Sequence, residues 1–233
     1  MPTAVVTGTD VGLGRAFVDV LSRGGFRVFA GSHGLATGRD EGLSGAAEKS
    51  PEVTELALDV TDLRVVRRFV DAVAEQAAGV DLLVNNAAVN PEKGVPLEDL
   101  DFDVLTRVLD VNALGPLRMT QALLPLLERG SKKTILNVSS EAGSLASCER
   151  TSWFGYCMSK AALNIQTRLL DNALKERGFR VLSVHPGWLR TPMANFEGPV
   201  LPEDAARNIA RLVLEARDET PQFFQNDGSA YPW

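Results

Sequence analysis

The amino-acid sequence predicts a doubly wound α/β fold, with about seven parallel strands in one sheet and helices packed on both faces. Three observations predict it. Short apolar and β-branched runs recur along all 233 residues, they lack the strict alternation of half-exposed strands, and segments of helical spacing separate them. Strand and helix alternate throughout, which leaves a parallel sheet as the simplest arrangement.

In chain order the first run is AVVT (4–7), which enters a turn containing Gly8, Gly12 and Gly14. Beyond it Leu13, Phe17, Val20 and Leu21 fall on one helical face. RGGF closes that helix, and RVFA (27–30) is the second strand. GSHGLATGRDEGLSG (31–45) reads as a Gly-rich loop or short helix. ELALDV (55–60) and DLLVNN (81–86) are the third and fourth strands, and a helix over 103–129 carries Asn112. TILNVSS (134–140) is the fifth. FGYCMSKAALN is helical and places Tyr156 and Lys160 on one face, a turn apart. RVLSVH (180–185), closed by HPGW, and QFF (222–224) complete the set. No internal repeat or shift in composition divides the chain, so a single domain over 1–233 is expected.

A formal charge of -6 and a pI near 5.1 supply no basic stripe, so no nucleic-acid partner is expected. No apolar run approaches the roughly 18 residues that cross a bilayer. The start MPTAVVTG has neither a charged n-region nor an apolar h-region, and a cytoplasmic protein off the membrane is the expectation. Cys148 and Cys157 lack C-x-x-C spacing and form neither a disulfide framework nor a zinc site; no metal is expected.

The glycine turn is the first chemical signal. A strand running into a helix through Gly8, Gly12 and Gly14 presents free N–H groups and the positive end of a helix dipole, which suits a pyrophosphate. The plain alternative is a tight turn that packs helix on strand. Its place after the first strand favours a nucleotide, and the absence of G-x-x-x-x-G-K-[ST] argues against a phosphate-loop hydrolase.

Seven stretches, in order, resemble the short-chain dehydrogenase/reductase family, whose fold is of the Rossmann type. The turn looks like its T-G-x-x-x-G-x-G, Asp59-Val60 like its adenine-contacting pair, and LVNNAA (83–88) like its N-N-A-G, with Ala88 in place of glycine. Asn112 in VLDVNALGP, then NVSSEAG, YCMSK and HPGW follow in the family's sequence. The tail FFQNDGSAYPW is similar to the carbonyl-reductase-like branch that includes the sniffer and C-signal proteins.

The resemblance implies an NAD(P)(H)-dependent oxidoreductase that interconverts a ketone or aldehyde and an alcohol. Hydride transfer to a carbonyl requires a positioned proton donor. Tyr156 takes that role by resemblance, with Lys160 lowering its pKa and bonding the nicotinamide ribose, Ser140 holding the substrate oxygen, and Asn112 positioning a water relay. A lysine ammonium at about 4 Å favours a phenolate by on the order of 4 kcal/mol at an effective dielectric near 20, before desolvation opposes it. The pair would thus bring the phenol toward neutral pH.

The resemblance also implies cofactor contacts from Gly8, Thr9, Asp10, Gly12, Leu13, Gly14, Ser32, His33, Asp59, Val60, Asn86, Ala87, Ala88, Pro186, Gly187, Leu189 and Thr191. Substrate contacts are expected from Ser140, Leu145, Trp153, Phe154, Trp188 and Phe196, under a short lid around 193–200. Ser32 stands where an acid would mark NAD and His33 where an arginine would accept the phosphate of NADP. The missing acid favours NADP(H), while Val11 and Asp10 keep NAD(H) open, and Arg39 could swing in from its loop. The resemblance implies a homodimer or homotetramer through the 103–129 helix and the Tyr156 helix. A non-catalytic NAD(P)-binding sensor or signalling protein is the alternative on the same fold.

Overall fold

A computed structural model of the protein describes residues 1–38, 52–215 and 220–233. Seven strands form one parallel sheet in the order β3-β2-β1-β4-β5-β6-β7: β1 Thr3–Thr7, β2 Arg27–Ser32, β3 Val53–Ala57, β4 Leu82–Asn85, β5 Thr134–Val138, β6 Arg180–His185 and β7 Phe223–Gln225. The order reverses at β1 and β4. Connections leave those two strands in opposite directions there, so their C-terminal ends diverge around a crevice where such folds bind ligands.

Helices α1 (Gly12–Arg23) and α7 (Pro202–Leu214) cover one face of the sheet, while α3 (Leu63–Ala74) and α5 (Gly115–Arg129) cover the other. Side chains of one strand alternate between these layers. Ala4 and Val6 of β1 point into the first core with Phe17, Leu21 and Ile209; Val5 points into the second with Phe29, Phe69, Leu123 and Leu127. Central strands are buried on both faces and apolar at most positions, which is why their sequences do not alternate.

Two elements differ from expectation. The predicted helix over 103–129 is divided: α4 (Phe102–Leu109) ends in a π-helical stretch, Asp110–Leu114, before α5 resumes. Asn112 lies inside that wider turn, which displaces the backbone as single π-turns do. The third strand ends at Ala57, so Asp59 and Val60 lie beyond it. Of the 31–45 segment, His33–Thr37 forms the short helix α2; Arg39 lies outside the described residues.

Helix α6 (Phe154–Leu174) carries Tyr156 and Lys160, and buried polar bonds fix it against the sheet. Asn137 of β5 donates to Thr167 Oγ1 at 2.9 Å and accepts from Asn85 of β4 at 2.9 Å. Asn164 accepts from Ser183 Oγ of β6 at 2.8 Å and donates to the Gly143 carbonyl at 3.0 Å. Such bonds specify one register of helix on sheet, because any slip leaves buried polar groups unpaired. Among the described residues no helix is long and apolar enough to cross a membrane.

Candidate active site

A cavity of about 1280 Å³ opens along the C-terminal ends of the strands. Gly8, Asp10, Gly12 and Leu13 line one end, and Ser140, Tyr156 and Lys160 the other, with Asp59, Val60, Asn86, Ala87, Ala88, Pro186, Gly187, Leu189 and Thr191 along its length. Each strand delivers its own residues to this rim through the turn that follows it. Thr9, Gly14 and Ser32 shape the rim from behind without lining the cavity.

At the glycine end close approach rules. A Cβ on Gly14 would stand 2.1 Å from the Gly8 carbonyl oxygen and 2.5 Å from Asn86 Nδ2. Asn86 gives its amide protons to the Thr7 and Gly8 carbonyls at 3.0 and 2.9 Å, so it locks the turn. Val11 offers α1 no side-chain cap, and no acid occupies the first turn of that helix. The uncapped N–H groups there fit a pyrophosphate, and this end can hold a dinucleotide. Thr9 Oγ1 is buried with no partner among the described residues. Gly12 faces Thr191, whose methyl would lie 2.9 Å from an added Cβ.

Carboxylates gather beside the second strand. Asp10 accepts from Ser32 Oγ at 2.7 Å, Gly34 N at 2.7 Å and His33 N at 3.2 Å. His33 Nε2 lies 3.8 Å from Asp59 Oδ2. Among the described residues Asp10 and Asp59 bring two carboxylates to this end, with His33 between them.

At the other end Tyr156, Lys160 and Ser140 are all buried. Lys160 Nζ donates to the Val138 carbonyl at 2.8 Å and lies 5.6 Å from the centre of the Tyr156 ring. Ser140 Oγ accepts from Ala142 N at 3.2 Å, fixing the serine at the head of a tight turn. Burial pushes the phenol of Tyr156 up to about 12; the Ser140 hydroxyl pulls it down, and Glu141 pushes it further up. Burial pulls Lys160 down to about 7. The expected lowering of the phenol by Lys160 is thus corrected for the dinucleotide-free protein. Burial is the largest influence on the phenol, and Lys160 spends its hydrogen bond on a backbone carbonyl.

Asn112 is fully buried and does not line the cavity. Its amide clamps Val89 in both directions, accepting from the Val89 N–H at 2.8 Å and donating to its carbonyl at 2.9 Å, and it also donates to Ser159 Oγ at 3.0 Å. The side chain expected to position a relay is occupied by a loop. His185 accepts from Glu141 N at 3.2 Å and packs on Tyr231, and burial holds it below the ordinary histidine value.

Trp153 and Trp188 line the cavity, whereas Leu145, Phe154 and Phe196 do not, which corrects the expected pocket wall. Leu145 and Phe196 are 83% and 63% exposed and face away. Trp153 meets Tyr156 edge to face at 5.9 Å between ring centres, with Arg150 4.3 Å and Lys93 5.7 Å from its own ring centre. Arg150 pairs with Glu141 at 2.5 Å, and Lys93 donates to the Met193 carbonyl, touching the segment expected to be the lid. Sequence reasoning missed Lys93, Arg150 and Glu141. No motif marks Lys93 or Arg150, Glu141 is a variable position within NVSSEAG, and only the fold brings the three to Trp153.

Residues 2–199 match the family profile described as short chain dehydrogenase. The chain is similar to C-signal of Myxococcus xanthus, 37% identical over 155 residues, covering 66% of this chain and 93% of that protein. It is 31% identical over 240 residues to 1-hydroxy-2-glutathionyl-2-methyl-3-butene dehydrogenase of Rhodococcus sp. (strain AD45), covering 100% of both. Among solved structures, NADPH-bound carbonyl reductase from chicken fatty liver superposes with a TM-score of 0.86 at 25% identity, covering 100% of this chain and 99% of that one.

Proposed function

The chain belongs to the short-chain dehydrogenase/reductase family of oxidoreductases, and from that premise we propose that it interconverts a ketone or aldehyde and an alcohol, with Tyr156 as the acid/base. One observation carries the proposal. Ser140, Tyr156 and Lys160 share one end of a cavity whose other end is a glycine turn fitted to a dinucleotide.

The dinucleotide, when bound, supplies or accepts the hydride. Tyr156 gives its proton to the substrate oxygen in reduction, and the Ser140 hydroxyl holds that oxygen beside the phenol. A phenol pushed up to about 12 is fully protonated at neutral pH, and a nascent alkoxide is the stronger base, so the transfer runs downhill in the reductive direction. Lys160 titrates near neutrality and holds the ribose side of the site against the Val138 carbonyl. Trp153 packs edge-on against the phenol, and with Trp188 it gives the pocket an aromatic wall.

Asp10 and Asp59 favour NAD(H), because a 2′-phosphate would meet two carboxylates. The bonds of Asp10 to Ser32, Gly34 and His33 thus add weight to NAD(H), against the lean to NADP(H) drawn from the missing acid at Ser32. Exposed Leu117 on α5 and Ile165 and Leu169 on α6 support self-association through these helices, which the solution molar mass from light scattering would test.

A panel of ketones and aldehydes with NADH and NADPH tests the function. Turnover that collapses in Tyr156→Phe while dinucleotide still binds supports it. Binding without turnover of any substrate by the unaltered protein would instead favour a sensor, a reading to which the similarity with C-signal gives weight.

A further inference from the structure

Glu92 lies in the loop between β4 and α4, 4% exposed and outside the cavity lining. Its Oε1 accepts the backbone N–H of Tyr156 at 2.6 Å, across 64 residues of sequence. The first N–H groups of any helix lack intrahelical partners. Trp153, at the cap position of α6, supplies no side-chain acceptor and stands in the left-handed region with φ 66. The cap comes instead from the remote carboxylate, whose charge also suits the positive end of a helix dipole.

Gly155 makes the approach possible. A Cβ there would stand 2.8 Å from Glu92 Oε1 and 2.7 Å from Leu105 Cδ2. The loop is held at its other end too, since Asn112 clamps Val89 and donates to Ser159 Oγ, in the first turns of α6. Residues 89 and 92 are thus tied to the same helix end from which Tyr156 projects, and Asn90 and Lys93 of the same loop line the cavity.

We infer that Glu92 is a positioning residue: from the loop after β4 it caps the helix that carries Tyr156 and holds the phenol in register with Ser140. This rests on the oxidoreductase reading for its kinetic consequence, but not for its structural one. The groups that act on the phenol besides Ser140 are Glu141, Arg150 and Cys157, and burial exceeds them all. A loosened first turn therefore admits water and lets the phenol ionise earlier.

The test compares Glu92→Ala and Glu92→Gln, the amide of glutamine keeping an acceptor oxygen for the Tyr156 N–H. Glu92→Ala is expected to lower kcat by on the order of 10- to 100-fold with dinucleotide affinity unchanged, and Glu92→Gln to restore most of it. Phenolate absorbance, read in a Tyr231→Phe background because the chain has only two tyrosines, is expected to rise at lower pH in Glu92→Ala than with Glu92 intact. That titration needs no cofactor and no substrate, and it is read only below the pH at which each variant unfolds. An unchanged kcat together with an unchanged phenol titration in Glu92→Ala overturns the inference. So does failure of Glu92→Gln to differ from Glu92→Ala. Should Tyr156→Phe retain full turnover, the oxidoreductase mechanism fails instead, and the titration still decides the role of Glu92.

Discussion

The two ends of the cavity are built by different means. The glycine end is assembled from backbone, with Gly8, Gly12 and Gly14 within one turn and Asn86 locking it through two carbonyls. The reacting end is assembled from buried side chains, supplied by β5, α6 and loops, with Lys160 held by Val138 and the Tyr156 backbone held by Glu92, both distant in sequence. One end depends on the absence of side chains, the other on their exact company. Substitutions should therefore fail differently: at the first end by loss of binding, at the second by loss of turnover with binding intact.

Tyr156→Phe draws that contrast most sharply. Loss of the proton donor is expected to cut kcat by roughly 10²- to 10⁴-fold, with dinucleotide affinity measured by fluorescence titration unchanged. A matching loss of affinity would show that the two ends are one mechanical unit. Gly14→Ala is the converse. A Cβ at 2.1 Å from the Gly8 carbonyl must displace backbone, so a loss of about 1 to 3 kcal/mol of stability is expected along with weakened dinucleotide binding. Thermal denaturation and the same titration measure both, and unweakened binding would mean the turn does not hold the pyrophosphate.

The same contrast decides what the sequence made legible. The central strands, buried on both faces, announce themselves as mostly apolar runs, and all seven strands were readable, the half-buried edge strand β3 included. The glycine turn is contiguous, so its spacing is its geometry. Tyr156 and Lys160 were legible because a helix converts a four-residue interval into one face. The π-helical turn at Asp110–Leu114 was not, since VLDVNAL has ordinary helical spacing and the bonds of Asn112 to Val89 and Ser159 that accompany the turn join residues distant in sequence. Glu92 was hidden for the same reason: NPEKG reads as a solvated loop, and its burial depends on Gly155 lying opposite. Leu145 and Phe196 were placed on the pocket wall by nearness in sequence, and their loops turn them outward.

Lys160 gives the reacting end a pH signature. Burial pulls its ammonium down to about 7, whereas the unfolded chain titrates near 10.4. Between those values the unfolded state holds more protons, so stability rises with pH across that window. The cost of burying the charge is present in full below about 7 and is relieved as the pH approaches that of a free lysine. Lys160→Met should flatten the dependence in chemical denaturation of the dinucleotide-free protein. A slope that persists in the methionine variant would assign it to another group.

Asp10→Asn tests the glycine end by charge alone and should have the smallest effect. Asparagine keeps an oxygen for Gly34 N and Ser32 Oγ while removing the negative charge beside His33. One charge pair at about 4 Å in a solvent-like medium is worth about 1 kcal/mol, so the ratio of NADPH to NADH affinity should rise about fivefold. Because the effect is electrostatic, it should shrink as salt is added. A ratio that rises and then falls with ionic strength places the selection in the Asp10 carboxylate. A ratio that does not move at all would leave Asp10 a purely structural cap for the second strand, and the choice between dinucleotides would pass to His33 and Asp59.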